Sequence, residues 1–246
     1  MQMNQFFAVN YCKIYWQAIL NLLGVNGYPS ILSREALQET EILQQLIEAN
    51  DFSGLFFFYL YKLMLCYLFD ELESAQIHAS EVRKYLMVVM GTIGIPIFYF
   101  YDSLVVLAAY DSESAIELEI FERLEENQEK LKKNWSNYAP MNYQHKVDLV
   151  AAEKYRVLGK KLEAIELYDK AIAGAKANEY IQEEALANEL AAKFYLNWDK
   201  EKVAAVYMQE AYYCYARWGA KAKTDNLEQH YPQLLAPILK TQTNSF

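Results

Sequence analysis

Two stretches of the chain align without a gap at an offset of 40 residues: AAEKYRVLGKKLEAIELYDKA at 151–171 and AAKFYLNWDKEKVAAVYMQEA at 191–211. The matched pairs are Ala151/Ala191, Ala152/Ala192, Tyr155/Tyr195, Gly159/Asp199, Ala164/Ala204, Tyr168/Met208 and Ala171/Ala211. A glycine permits the chain to reverse, and small residues let a second helix approach the first closely. The pattern therefore predicts two antiparallel helical hairpins in tandem, at 141–177 and 179–218.

Helical periodicity continues over the rest of the chain. Only 8 Gly and 5 Pro occur in 246 residues, too few for the turns of a β-sandwich or barrel. Further helices are expected at 6–23, 34–49, 53–69, 71–86, 96–110, 112–133 and 222–230, and the alanine spacing of the repeat can be placed again at Ala75 and Ala115. We expect Pro232 and Pro237 to stop the last helix and the tail at 241–246 to be frayed. The predicted fold is an all-α solenoid of helix pairs in one domain, 1–240.

Composition excludes some classes of protein. The net charge of −9 and the pI near 5.0 disfavour nucleic acid as a partner, because its phosphates repel an acidic surface. The three cysteines, at 12, 66 and 214, have no metal-binding or disulfide spacing, and their apolar neighbours predict buried thiols in a reducing compartment. The start of the chain lacks the features of a secretory signal. We therefore expect a cytoplasmic protein.

An uncharged run from Tyr85 to Tyr101 raises the question of a membrane span. It is shorter than the ~18–20 apolar residues that a span needs, and Gly91, Gly94 and Pro96 interrupt it. This combination is typical of a connection between two buried helices, so no membrane association is expected.

The two aligned stretches resemble the tetratricopeptide repeat, a helix–turn–helix unit with Ala, Gly, Tyr and Ala at set spacings. Ala152, Tyr155, Gly159, Ala164 and Tyr168, with Ala171 after them, take the positions of its small and aromatic packing residues. Two features depart from that repeat: the period is 40 residues instead of ~34, and the closing proline is missing. The resemblance implies longer helices or longer turns.

Longer strings resemble a helical region of very large bacterial signalling proteins, especially cyanobacterial ones. They are NEYIQEEALANELAAKFYLNW (178–198), AYYCYARWGAKAK (211–223), YPQLLAPIL (231–239), ENQEKLKKNWSNYAPMNYQHKVDLVAAEKYRVLGK (126–160) and EANDFSGLFFFYLYKLMLCYLF (48–69). In those proteins a serine/threonine kinase and an AAA-type ATPase domain precede the helical region, and a GAF sensor and a histidine kinase follow it. The resemblance implies that this chain is the scaffold part of such a kinase, without its catalytic domains.

The sequence lacks the motifs that would make the chain an enzyme. It contains no protein-kinase signature, Walker A loop, phospho-accepting histidine box or nucleophile elbow. The histidines are His78, His145 and His230; the His78/Glu81 and His145/Asp148 pairs are expected to be solvated helix-face pairs, and no metal or cofactor is expected. Glu183, Glu184 and Glu189, near Lys193, are likewise predicted to form a solvated face.

One surface is a candidate for protein docking. Tyr207, Tyr212, Tyr213, Tyr215 and Trp218 form a dense aromatic cluster, which packs in the core or forms a docking face. In the second case Arg217, Trp218, Lys221 and Lys223 would form an aromatic and basic patch on an otherwise acidic protein. The partners would be kinase, ATPase or sensor domains of the same signalling system. The alternative is a stand-alone ligand-binding or enzymatic domain with a pocket between helices, recognisable by perturbed acids and bases in a cleft, whereas a solenoid should have an apolar interior.

Overall fold

The chain is built from helices. A computed structural model describes residues 3–25, 27–33, 35–110 and 117–243, and over these ranges it contains twelve α-helices and no strand. The helices are α1 Met3–Leu22, α2 Glu39–Glu48, α3 Phe52–Leu68, α4 Leu72–Arg83, α5 Gly94–Ala108, α6 Glu117–Leu131, α7 Pro140–Val157, α8 Lys161–Ala177, α9 Ile181–Leu196, α10 Glu201–Trp218, α11 Lys221–His230 and α12 Ala236–Thr243. A short 3-10 helix (Leu86–Val89) and a π-helical turn (Lys132–Ser136) complete them. The all-α prediction is confirmed.

The helices form two compact units, Met1–Asn127 and Gln128–Phe246. The expectation of one domain over 1–240 stays a prediction. In the first unit α3 and α5 are buried on nearly all sides, as their apolar sequences predict. Gly91 has a φ of 85° and turns the chain before α5 begins at Gly94, where a Cβ would lie 2.6 Å from a ring atom of Phe56. None of the helices described is both long and apolar enough to cross a membrane.

The turns of the second unit recur every 20 residues. Gly159, Glu179, Asp199 and Gly219 all have a left-handed backbone, with φ of 69°, 62°, 55° and 85°. At each turn the next residue's N–H donates to the carbonyl five residues earlier, at 2.9–3.0 Å, which closes the preceding helix. The same device occurs in the first unit at Asn50 and Asp70, with φ of 52° and 60°. The helices α7 to α11 therefore begin at nearly constant intervals.

Equivalent positions of three helices are buried. The fourth, eighth and eleventh residues of each are 0–1% exposed, and each of the three helices packs against the helix before it. They are Ala75, Ala79 and Val82 in α4, Ala164, Tyr168 and Ala171 in α8, and Ala204, Met208 and Ala211 in α10. The α3–α4 pair thus shares this pattern of buried positions with α7–α8 and α9–α10, as the spacing at Ala75 indicates; Ala115 lies outside the described residues.

Side chains connect the successive hairpins of the second unit in a constant register. The Tyr180 hydroxyl donates to Asn142 Oδ1 at 2.9 Å, and the Tyr207 hydroxyl donates to Asp169 Oδ1 at 2.8 Å; both pairs are 38 residues apart. The Lys161 ammonium lies 4.5 Å from the centre of the Trp198 ring. Since α7 also contacts α9, adjacent hairpins stack side by side.

Several details differ from the expectations. The second helix begins at Glu39 instead of residue 34, and α12 forms where a stop and a frayed tail were expected. Pro237 is the second residue of α12, where a missing N–H costs nothing because that N–H has no partner inside the helix. Residues 244–246 lie outside the described part. Cys12 is exposed, whereas Cys66 and Cys214 are buried as predicted.

Candidate docking surface

Three residues of the predicted aromatic and basic patch lie at least partly at the surface, and the fourth is buried. Arg217 and Lys221 are exposed, and Trp218 is half-buried beside Tyr215. Lys221 pairs with Asp225 at 2.5 Å on the surface of α11. Lys223 is completely buried, and its ammonium lies 2.9 Å from Glu189. Because a buried side chain cannot contact a partner protein, Lys223 cannot belong to a docking patch.

Glu189 lies at the centre of a buried polar cluster that joins α9, α10 and α11. Its carboxylate accepts from Lys223, from Lys193 at 3.0 Å and from the Tyr215 hydroxyl at 2.8 Å. Burial opposes ionisation, but the two ammonium groups outweigh it and lower the pKa of Glu189 to about 2. A buried carboxylate with three donors holds α11 against the second hairpin, so α11 covers the end of the stack.

The prediction of a solvated glutamate face is therefore wrong. Glu183, Glu184 and Glu189 are 8%, 6% and 2% exposed, because α9 is enclosed by its neighbours from residue 183 onward. Glu183 pairs with Lys146 of α7 at 2.9 Å. A further buried carboxylate, Glu153, accepts from Arg156 and from the Tyr168 hydroxyl of α8. The interior of this unit is thus not uniformly apolar.

The expected solvated pair at His145 is also wrong. His145 is 3% exposed, its ring centre lies 4.7 Å from that of Tyr180, and its Nε2 lies 2.9 Å from the Lys146 ammonium. Burial and Lys146 lower the pKa of His145 to about 3, and burial lowers that of Lys146. Two buried atoms of this cluster, His145 Nδ1 and Glu183 Oε2, have no hydrogen-bond partner among the residues that the structure describes.

The other two histidines lie in different surroundings. His78 is half-buried against Tyr59, and burial together with Lys62 lowers its pKa to about 4. His230 is exposed and lies 2.8 Å from a backbone carbonyl of its own helix, that of Asn226. In the described ranges no group of three or more His, Cys, Asp or Glu side chains is arranged to hold a metal ion.

A different cationic and aromatic surface lies at the turns of the two hairpins. We call it the hairpin-tip patch, and it consists of Lys160, Lys161, Trp198, Lys200 and Lys202. The ammonium groups of Lys161 and Lys200 lie 4.5 and 5.5 Å from the Trp198 ring centre. The four lysines are exposed, and Trp198 is half-buried. Sequence reasoning missed this patch, although the 40-residue offset already matches the turn of 158–161 with that of 198–201.

Stacked rings fix the orientation of the tryptophan. Trp198 stacks on Tyr195 at 6.2 Å with an angle of 13°, and Tyr195 stacks on Tyr207 at 5.4 Å with an angle of 14°. Phe194, which is buried, lies 6.1 Å from Trp198. The indole therefore lies on a rigid base, and the aromatic cluster predicted at 207–218 serves partly as core, with Tyr212 and Tyr215 buried, and partly as support for this patch.

A cleft lies next to the hairpin-tip patch. It has a volume of about 580 Å³ and lies between the start of α10 and the connection from α11 to α12. Its lining includes Leu196, Lys202, Ala205, Tyr231 and Leu234. Lys202 belongs to both the patch and the cleft, and Glu201 beside it also lines this partly apolar depression.

The first unit contains two further notable features. Asp102 is completely buried and accepts from Arg83, Arg123 and Asn127, which fastens α5 to α4 and α6.

The 3-10 segment and the turn after it expose bulky apolar side chains: Met87 by 75%, Val88 by 51%, Met90 by 68% and Ile93 by 72%. Contiguous exposed apolar residues are typical of protein-contact surfaces.

Comparisons with known proteins give one partial match. Hybrid signal transduction histidine kinase G of Dictyostelium discoideum is 44% identical to the chain over 61 residues. The matched stretch is 25% of this chain and 2% of that kinase. No family profile matches the sequence, and no solved structure matches the chain. The match fits an association with signal transduction.

Proposed function

We propose that the chain is a non-catalytic helical-repeat module that docks protein domains in a signal-transduction kinase system. The observation that carries the proposal is the constant register of the second unit. Turns at 159, 179, 199 and 219 and contacts 37–38 residues apart stack the hairpins α7–α8 and α9–α10, with α11 starting 40 residues after α9. Stacked hairpins present continuous surfaces to partners and need no active site for that purpose.

More specifically, we propose that the chain is a tetratricopeptide-like solenoid and belongs to a cytoplasmic signalling protein. The resemblance to multidomain kinases of the cyanobacterial type supports it, and so does the match to part of a histidine kinase. That kinase comes from Dictyostelium discoideum, so the bacterial type stays a prediction. The proposed partners are serine/threonine kinase, AAA ATPase, GAF sensor and histidine kinase domains, joined to this chain or separate from it.

Isothermal titration calorimetry with recombinant domains tests this proposal. Each of the four domain types, taken from multidomain signalling kinases, is titrated with the intact chain, and ATP consumption by the chain alone is followed in parallel. We expect saturable binding to at least one domain and no ATP turnover, because the chain has no phosphate-binding loop. The proposal is refuted if none of the four domains binds, or if ATP turnover persists through purification.

The cluster of His145, Lys146 and Glu183 favours the alternative, a domain with a ligand pocket between helices. The pKa values of His145 and Lys146 are both lowered by burial, and His145 Nδ1 and Glu183 Oε2 have no hydrogen-bond partner among the described residues. The cleft described above has other lining residues. A small-molecule library that raises the melting temperature of the wild type but not of the Lys146→Met variant would support this alternative, and a library without such a compound would remove it.

A further inference from the structure

We propose that the hairpin-tip patch binds an acidic peptide segment of the partner protein. This inference rests on the proposed function and adds to it the place of contact and the chemistry of the partner. It uses a surface that the two hairpins form together, since Lys161 begins α8 and Trp198 follows α9. Neither hairpin alone brings lysines from both turns to one indole ring.

The ammonium groups of the patch lack carboxylate partners. Within the part of the chain that the structure describes, no carboxylate lies within 4.0 Å of Lys160, Lys161, Lys200 or Lys202. Three other exposed lysines differ: Lys133, Lys176 and Lys221 pair with Glu129, Glu184 and Asp225, respectively. Four unpaired ammonium groups at adjacent turns are available to a partner's carboxylates without loss of an existing ion pair.

The aromatic part of the patch supplies an anchor. Trp198 has a stacked base of Tyr195 and Tyr207, so little conformational entropy is lost when a partner packs on it. Tryptophan and tyrosine are the residue types that carry most of the binding energy in protein interfaces. The adjoining cleft offers room for one apolar side chain of the bound segment, with Leu196 and Ala205 in its lining.

The charges around the patch favour a short acidic segment over an extended polyanion. Glu163, Asp199 and Glu201 lie on the same turns and are exposed, and the whole chain carries a charge of −9. A nucleic acid or an anionic membrane would extend over these carboxylates and be repelled by them. A peptide of a few residues can place its carboxylates on the lysines alone.

Fluorescence anisotropy on the intact chain tests the inference. The probes are a fluorescein-labelled oligo-glutamate peptide, its oligo-glutamine counterpart and a fluorescein-labelled oligo-thymidylate. The variant Lys161→Gln/Lys200→Gln removes two patch charges, and Lys132→Gln/Lys170→Gln is the matched control, because these two exposed lysines also lack a carboxylate within 4.0 Å in the described ranges. We expect the glutamate peptide alone to bind, with affinity falling about tenfold in the patch variant and unchanged in the control.

Three results would overturn the inference: no binding of the glutamate peptide at low ionic strength, equal losses in the two double variants, or a patch-dependent affinity that is stronger for oligo-thymidylate. The patch variant is also titrated with whichever signalling domain binds the wild type. A domain that binds both proteins equally would overturn the inference and leave the proposed function intact. A wild-type chain that binds no domain would refute the proposed function, whatever the peptide does.

Discussion

Gly159 and Asp199, forty residues apart, adopt the same left-handed backbone conformation, with φ of 69° and 55°. Each ends the first helix of a hairpin, and the following N–H closes that helix by donating to a tyrosine carbonyl, of Tyr155 and Tyr195, at 2.9 Å. The two turns have the same backbone conformation and the same helix-closing hydrogen bond, so the 40-residue repeat of the sequence is also seen in the backbone at these turns.

The turn conformation predicts opposite responses to two substitutions. Gly159→Ala should lower the free energy of unfolding by about 1–2 kcal/mol, because a Cβ is strained at positive φ although nothing lies within 4 Å of it. Asp199→Gly should be neutral or stabilise by about 0.5 kcal/mol. Urea unfolding measures both, with Gly27→Ala, where nothing lies within 4 Å of an added Cβ, as the control. A Gly159→Ala protein as stable as the control would contradict the turn assignment.

The buried alanines predict a second set of effects. Ala164→Leu and Ala204→Leu should each destabilise the protein by about 1–3 kcal/mol, because both sites are 0% exposed at a close helix–helix contact. The same change at Ala75 should have a comparable effect if α3–α4 is an equivalent hairpin. Ala173→Leu, on the exposed side of α8, is the matched control and should leave the thermal midpoint nearly unchanged. Equal midpoints for all four variants would show that the repeat alignment is wrong.

Sequence reasoning succeeded where the information is local or periodic. The hairpins follow from the 40-residue offset, and the turns at Gly159 and Asp199 from their alignment. It failed at Lys223 and Glu189, which form an ion pair although they are 34 positions apart in the sequence. Taken alone, each charged residue is predicted to be exposed to solvent, because the sequence does not show its partner. The Lys161–Trp198 contact spans 37 residues and becomes visible only once adjacent hairpins are stacked.

The ion pairs of Glu189 make stability depend on pH. Its folded pKa, about 2, lies below the ordinary 4.5, so this carboxylate stabilises the protein above pH 4.5 and the contribution is lost as the pH falls from 4.5 to about 2. The variant Glu189→Gln should be less stable by about 3 kcal/mol near neutral pH, and the difference from wild type should shrink in acid. Urea unfolding across this pH range measures it, with exposed Glu210→Gln as control. A constant difference at all pH values would contradict an ionised Glu189 in the fold.

The two lysines of α11 should respond differently to charge reversal. Lys223→Glu places a second carboxylate beside buried Glu189 and should destabilise the protein by about 3–5 kcal/mol. Lys221→Glu removes only an exposed pair with Asp225 and should cost less than about 1 kcal/mol. Thermal unfolding of the two variants compares them directly. Small and equal effects would mean that Lys223 does not lie in the core.

Hydrogen exchange of the intact chain, measured by mass spectrometry with and without each signalling domain, tests the docking claim most directly. Backbone amides at 158–162 and 197–203 should exchange more slowly when a partner is bound, because these turns carry the hairpin-tip patch. The segment 216–221, which includes Arg217 and Trp218, should exchange at an unchanged rate. Exchange that is the same everywhere with every domain would contradict the account of this chain as a docking module.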